Sequence, residues 1–249
     1  MSTIALQLYT VRDAMADDFT GTLRRIRDIG FTSVETAFFP EGITFDAAKA
    51  ELDRHGLKVR SAHVPLPDRD NIGSLQDLAG TLGTTDIVWH GWPRDARHDS
   101  RDGMDSLIRS YAEANRIARE HGLRLHLHNH WWEFDTCGGP SLFERLLVEC
   151  EDLPGIELDT YWAMVAGQDP LALIANVRDH ISLIHLKDGP GIPDAPKVAL
   201  GDGVLPLSEI CAETRGDTTW IVELDDCEDD IFDALAKSLR RLESEPAND

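Results

Sequence analysis

Arg124-Leu-His-Leu-His-Asn-His-Trp-Trp-Glu-Phe134 packs three histidines, an asparagine, two tryptophans and a carboxylate into one apolar-flanked run. It lies just past Gly122, which closes the longest helical pattern of the chain, so the run reads as a strand that ends in a polar cluster. Three later apolar runs also finish on a ligand-type side chain: Ile156-Glu-Leu-Asp159, Ile181-Ser-Leu-Ile-His185 and Trp220-Ile-Val-Glu223. Glu133, Asp159, His185 and Glu223 are an oxygen-rich set with one imidazole, which suits a divalent metal of intermediate hardness.

Outward from that stretch the chain repeats one unit. Strand-like runs at Ile4–Tyr9, Thr32–Ala37, Lys58–His63 and Asp86–His90 alternate with helical spacing over Phe19–Ile29, Phe45–His55, Ile72–Leu82 and Arg101–His121. Gly30, Gly56 and Gly122 stand where helices stop. Beyond the fifth strand, helices are predicted over Pro140–Cys150, Asp169–Val177, Leu207–Thr214 and Asp229–Leu242. Strands are predicted over Gly155–Asp159, Ile181–His185 and Thr219–Leu224. Asp169 and Pro170 form an N-cap followed by a first-turn proline. A Gly- and Pro-rich segment from Lys187 to Gly203 interrupts the rhythm, and Ser244–Asp249 is a polar tail.

Eight strand–helix units in 249 residues, with short strands apolar enough for burial on both faces, predict a single-domain (β/α)8 TIM barrel over residues 1–249. An open doubly wound sheet would carry a Gly-rich phosphate loop after its first strand, and Leu8-Tyr-Thr-Val-Arg-Asp13 has no glycine. In a closed barrel the chemistry gathers at the C-terminal ends of the strands. Those ends offer Gln7 and Tyr9, Glu35, His63, His90 with Trp92, the His126–Glu133 cluster, Asp159, His185 with Lys187, and Glu223 with Asp225.

A net charge of −21 and a pI near 4.7 oppose a nucleic-acid partner, whose binding is driven by Lys and Arg. No run approaches the roughly 18 apolar residues of a membrane span, and no basic flank with an apolar signal core opens the chain. The expected location is the cytoplasm. The four cysteines, Cys137, Cys150, Cys211 and Cys227, lack C-x-x-C spacing and read as free thiols rather than a zinc-thiolate site.

Five ordered segments resemble the sugar phosphate isomerase/epimerase family, the xylose isomerase-like barrels that include tagatose epimerases and inosose dehydratases. His128-Asn-His-Trp-Trp-Glu-Phe134 is similar to its HNHxxEF motif, and Leu158–Ala163 with Gly167–Pro170 to its LDxxWxxxxGxDP segment. His185-Leu-Lys-Asp188 resembles HxKD, Leu200-Gly-Asp-Gly203 the GxG turn, and Val222-Glu-Leu-Asp225 the segment with the final metal glutamate. The resemblance implies a divalent metal ion (Mn, Co, Mg or Zn) on Glu133, Asp159, His185 and Glu223. In relatives with a plainer fifth strand the first ligand sits within the strand, where this chain offers His126 or His128.

The implied reaction is isomerisation or epimerisation of a sugar, keto sugar or polyol through an enediolate, with Glu133 and Glu223 moving the proton. A dehydratase is the near alternative, because the same enediolate can expel a β-hydroxyl. An endonuclease IV-type phosphoesterase would need extra metals and a basic face, and a non-catalytic sugar-binding barrel would have lost ligands. His63, His90, Trp92, His128, His130, Trp162 and Lys187 are expected to bind substrate, with Trp131 and Trp132 as further apolar walls. Lys187 and Arg94 are isolated cations, so the expected substrate carries no phosphate. Relatives often form dimers or tetramers, which leaves the oligomeric state open.

Overall fold

The computed structural model describes residues 2–91, 93–136 and 138–246; Trp92 and Cys137 therefore lie outside the described residues, as does the end of the polar tail. Eight parallel strands close on themselves: β1 (Thr3–Gln7), β2 (Ser33–Thr36), β3 (Lys58–His63), β4 (Asp86–Trp89), β5 (Arg124–His128), β6 (Gly155–Asp159), β7 (Ile181–Leu186) and β8 (Thr219–Val222). The ring is completed where Thr3 of β1 lies opposite Thr219 of β8. Around it run α1 (Arg12–Asp17), α2 (Phe19–Ile29), α3 (Phe45–Arg54), α4 (Ile72–Leu82), α5 (Arg101–Glu120), α6 (Leu142–Glu149), α7 (Thr160–Val165), α8 (Pro170–Val177), α9 (Leu207–Glu213) and α10 (Ile231–Glu243).

Local chemistry sets the helix ends. Ser100 Oγ accepts from Gly103 N at 3.1 Å to start α5, and Asp169 does the same for α8 ahead of Pro170. Along α5 the stripe Met104, Leu107, Ile108, Tyr111, Ala114, Ile117 and Ala118 is buried against the barrel. Each large side chain of such a stripe contributes about 1.5–3 kcal/mol by leaving water. That burial, more than helix propensity, holds the outer ring in place.

Inside the barrel, Ala5, Val88, Leu183 and Ile221 form a small apolar cluster of their own. Alternation along the strands then places Gln7, His185 and Glu223 one pleat nearer the C-terminal mouth. An apolar plug thus supports a polar mouth. Among the described residues no helix is long and apolar enough to cross a membrane, and Cys150 and Cys227 are free thiols.

Two short helices were not legible as periodic patterns. After β1 the chain turns through a 3-10 segment, Leu8–Val11, into α1, with the Gln7 side chain accepting from Tyr9 N at 3.0 Å. After β6, α7 starts at once because Asp159 Oδ1 accepts from Trp162 N at 2.8 Å. Thr160, Tyr161, Trp162 and Ala163 are all buried, so α7 has no polar face to produce a helical period.

Candidate metal and substrate site

The mouth is assembled by side chains that lock neighbouring strands in register. Asn129 reaches from the end of β5 to β6, donating to Asp159 O at 3.1 Å and accepting from Asp159 N at 2.9 Å. These bonds continue the pairing of His128 with Glu157 by one more rung. Thr160 Oγ1 donates to His185 O at 3.0 Å and ties β6 to β7 in the same way. Asp159 pairs directly with His185 in that ladder.

Four donors meet as a result. One ligand atom from each of His128, Asp159, His185 and Glu223 lies within 4.8 Å of the others, and all four residues are buried. Asp159, His185 and Glu223, which end three apolar strands in the sequence, are brought together here. Glu133 is not in the group. It sits in the 3-10 turn Trp132–Phe134, where one carboxylate oxygen accepts from His130 N at 2.8 Å and the other lies 3.7 Å from His130 Nδ1. His128, inside β5, stands beside the other three donors, while His126 is turned to Asp86 at 2.8 Å.

A second layer lies beneath the donors. Glu157 Oε2 is 3.0 Å from His128 Nδ1, 3.0 Å from His63 Nε2 and 3.2 Å from His185 Nε2. Glu35 Oε1 is 2.7 Å from His185 Nε2 and 3.0 Å from His63 Nε2, and it accepts from Gln7 Nε2 at 2.7 Å. Ser61 Oγ donates to the other Glu35 oxygen. In the sequence Glu157 stands only as part of a strand run, and Glu35 only as one of the polar strand ends. The available signal was an acidic residue two positions before Asp159 in an otherwise apolar strand, hence on the same face.

Lys187, fully buried, closes the side of the site. Its Nζ lies 3.1 Å from Asp159 Oδ2, 2.9 Å from Glu223 Oε2 and 3.0 Å from Asp225 Oδ1. It also stands 5.1 Å from the Trp162 ring centre. A second buried lysine, Lys197, lies 4.7 Å from the same ring centre. Trp162 is therefore packed between cations and against Trp131, and it is not itself among the residues that line the cleft.

Electrostatics follow from this crowding. Burial would raise the Glu223 carboxyl, but Lys187 and His185 outweigh it and hold the group below the usual carboxylate range. Glu35 is likewise held down against burial by His63 and His185. Burial would lower His63, yet Glu35 and Glu157 push it up to about 10. His185 is raised for the same reason by Glu157, Glu223 and Glu35. His128 goes the other way, kept neutral by burial and by the charges on His185, His130 and Lys187. At Asp159 burial prevails over Lys187 and His185, and its pKa is raised.

Two imidazoles and two carboxylates form a donor set that divalent transition metals accept. Asp159 spends Oδ1 on capping α7, and its buried Oδ2 accepts no hydrogen bond. That oxygen faces the Lys187 ammonium at 3.1 Å, so the fit to an ion rests on the donor set itself, four ligand atoms within 4.8 Å of one another. The residues present fit a divalent ion.

Above the donors opens a cleft of about 550 Å³. One wall is apolar, from Tyr9, Ala37, Phe38, Val64, Pro65 and Trp89; the other carries His63, His90, His128, His130, Lys187, Glu223 and Asp225. Five of the residues expected to bind substrate, namely His63, His90, His128, His130 and Lys187, line it. The apolar wall that was expected from tryptophans comes largely from the loops after β1, β2 and β3. His90 stacks over His63 at 6.2 Å and is lowered to about 4, by burial first and then by the charges of His63 and His130.

The HxKD and GxG segments prove to be one device. Asp188 is fully buried, and its carboxylate accepts from Gly189 N at 2.9 Å, Gly201 N at 2.9 Å, Leu205 N at 3.0 Å and Gly203 N at 3.1 Å. Any Cβ at Gly203 would run into Asp188 Oδ1, so the close approach requires glycine. This knot folds the long loop after β7 back on the barrel and carries Lys197 to Trp162.

A closed eight-stranded barrel whose mouth gathers imidazoles and carboxylates under a cleft has its polar side chains where TIM-barrel enzymes carry their active sites. The chain belongs to the xylose isomerase-like TIM barrel family, whose model matches residues 23–244. A sugar phosphate isomerase/epimerase from Parabacteroides distasonis has the same fold with a TM-score of 0.84, 19% identity, and coverage of 100% of both chains. The probable 3-DHS dehydratase from Bacillus anthracis superposes with a TM-score of 0.76 at 17% identity, covering 99% of this chain and 100% of the other. A 3-keto-D-glucoside 4-epimerase from E. coli gives 0.69 at 17% identity, covering 98% and 100%. No curated protein matches the sequence.

Proposed function

We propose that this barrel is a divalent-metal-dependent isomerase or epimerase acting on an uncharged sugar, keto sugar or polyol-derived substrate by proton transfer next to a carbonyl. The observation that carries the reading is the convergence of His128, Asp159, His185 and Glu223 at the floor of the cleft. In this reading those four residues hold the ion, with His128 taking the place expected of Glu133. Glu133 instead supports the turn that carries His130. When bound, a divalent cation (Mn, Co, Mg or Zn) supplies Lewis-acid polarisation of a carbonyl oxygen, which makes the neighbouring C–H easier to ionise.

The chain's own groups do the rest. Glu223, held ionised, accepts the carbon-bound proton to give an enediolate. Lys187 lines the cleft and offsets negative charge that develops on a substrate oxygen. His63, charged at neutral pH, lines the same cleft and returns a proton to the neighbouring carbon. His90 and His130 donate to or accept from hydroxyls, and the wall of Tyr9, Phe38 and Pro65 receives the C–H face of the substrate. The lining holds one lysine and no arginine, which supports an uncharged ligand over a phosphate or a nucleic acid.

A dehydratase is the second reading, and a specific observation favours it. The charged His63 can protonate a leaving hydroxyl as readily as a carbon, so the same enediolate could lose water. The fold hosts both an epimerase and a dehydratase in other organisms. Cysteines without C-x-x-C spacing and a net charge of −21 suit a reducing cytoplasm.

The test is metal analysis of the purified protein, followed by incubation with Mn2+ or Co2+ in D2O with a panel of keto sugars and inosose. Deuterium incorporation with isomer formation is the expected result, and loss of water would shift the assignment to the dehydratase. A protein that binds no divalent ion and exchanges no substrate proton sinks both readings.

A further inference from the structure

Glu157 and Glu35 are buried carboxylates that the proposed reaction leaves without a task. Burying an anion is costly unless it is well paired, so two of them under one site need a reason. Their partners supply it. Glu157 Oε2 meets Nδ1 of His128 at 3.0 Å and Nε2 of His185 at 3.2 Å, two different ring positions of the two imidazoles in the donor group. The nitrogens left over are Nε2 of His128, 3.8 Å from Asp159 Oδ2, and Nδ1 of His185, 2.8 Å from Glu223 Oε2.

We propose that Glu157, seconded by Glu35, is a positioning residue that fixes opposite tautomers on His128 and His185. His128 is held as Nδ1–H and turns Nε2 toward Asp159, while His185, with Glu35 at 2.7 Å from Nε2 and Glu223 at 2.8 Å from Nδ1, carries both protons in the metal-free protein and keeps only Nε2–H once an ion displaces the Nδ1 proton to solvent. This rests on the reading of these four residues as the metal set.

The physical argument is one of donors and acceptors. A carboxylate can only accept, so an imidazole nitrogen 3.0 Å from Glu157 must carry the hydrogen. A neutral ring has one N–H, and the bond made at one nitrogen decides what the other presents. For His128 the geometry imposes Nδ1–H, the tautomer that solvated histidine disfavours. Glu35 acts on His185 alone within the set, since its Oε1 meets His185 Nε2 at 2.7 Å. Glu157 Oε1 has no hydrogen-bond partner, so both rings and His63 share the single oxygen Oε2. Rotating that carboxylate would release both rings at once.

His63, His128, Glu157 and His185 also lie close enough to hold a cation themselves. Here the same nitrogens that would bind it are those facing Glu157 at hydrogen-bond distance, and the structure favours protons at those positions. The two arrangements predict different stoichiometries, one ion per chain with a carboxylate support and two ions per chain without it.

The experiment is long-range 1H–15N correlation on protein labelled with 15N-histidine, metal-free and loaded with Zn2+. His128→Asn and His185→Asn assign the signals. The expected result is Nδ1–H on His128 in both states and Nε2–H on His185 after loading, with one Zn2+ per chain. In Glu157→Gln the affinity for Zn2+, read by competition with a chelator, falls about 10–100-fold and His128 reverts to Nε2–H. Glu35→Gln leaves the His128 signal unchanged and weakens Zn2+ less.

Nε2–H on His128 in the wild type, two Zn2+ per chain, or wild-type affinity in folded Glu157→Gln would each overturn the proposal. The wild-type spectrum decides even if Glu157→Gln fails to fold. A wild type that binds no Zn2+ would defeat the metal reading, while the metal-free His128 tautomer would still judge this inference separately.

Discussion

The two ends of the barrel use the same chemistry for different ends. At the N-terminal floor, His126 of β5 makes one bond to Asp86 at 2.8 Å, and Asp86 is balanced by Arg124 at 2.5 Å. Its ring also packs against Gly155, where a Cβ would collide with it. Two residues along the same strand, His128 shares carboxylates with His63 and His185 and faces Asp159. The floor pairs one imidazole with one acid and one arginine, and only Nδ1 of His126, packed against Gly155, is left without a hydrogen bond. The mouth crowds two imidazoles and two acids within 4.8 Å of one another, with Lys187 shared among Asp159, Glu223 and Asp225. The lesson is that a His–carboxylate pair becomes a candidate site only where several such pairs converge on one point.

The largest expected effect is at the mouth. Glu223→Gln should lower kcat for substrate proton exchange by about 10²–10⁴-fold while the thermal midpoint holds or rises. Unchanged exchange would remove Glu223 from the proton path. Next comes the loop knot: Asp188→Ala abandons four backbone N–H groups and should cost about 3 kcal/mol or more in urea unfolding, together with a raised KM. Unchanged stability would show that the loop holds without its carboxylate.

Metal addition should divide the two ends of the barrel. Mn2+ at 100 times its Kd should stabilise the protein by about 2.7 kcal/mol, reversibly with EDTA, and equally in floor variants. A floor variant that abolished this increment would join the two ends functionally and break the contrast.

The smallest effect belongs to Asp86→Asn, about 1–2 kcal/mol of stability with kcat and metal affinity unaltered. Its pH dependence has a definite sign. Burial would raise the Asp86 carboxyl, but His126 and Arg124 hold it below its ordinary 3.8. A carboxylate so depressed stabilises the fold above its unfolded pKa, and the contribution is lost as pH falls through the lower folded value. The gap between wild type and Asp86→Asn in denaturation midpoint should therefore close in acid, and a gap that widens there would contradict the pairing.

Much of this was legible in the linear chain. Period-two and period-3.6 apolar runs gave the strands and the long helices, because one buried face is imposed on each by the barrel wall. Asp159, His185 and Glu223 stood out because a charged or ionisable group at the end of an apolar strand has no packing rationale. Short α7 stayed hidden, since six residues of which the first four are buried leave no polar face to count. Glu133 drew attention through its motif, yet lies in a turn whose backbone it binds, and only the path of residues 129–134 could reveal that.

By itself the sequence determined the repeat, the barrel and the end of each strand at which chemistry collects, since these depend on patterns along one chain. Tertiary structure alone decided that His128 and not Glu133 stands with the other donors, that Glu157 lies beneath both imidazoles, and that apolar side chains of three loops form the cleft wall. The reason is that ligation and hydrogen bonding depend on ångström distances between strands, and these follow from register and barrel closure, which no local pattern encodes.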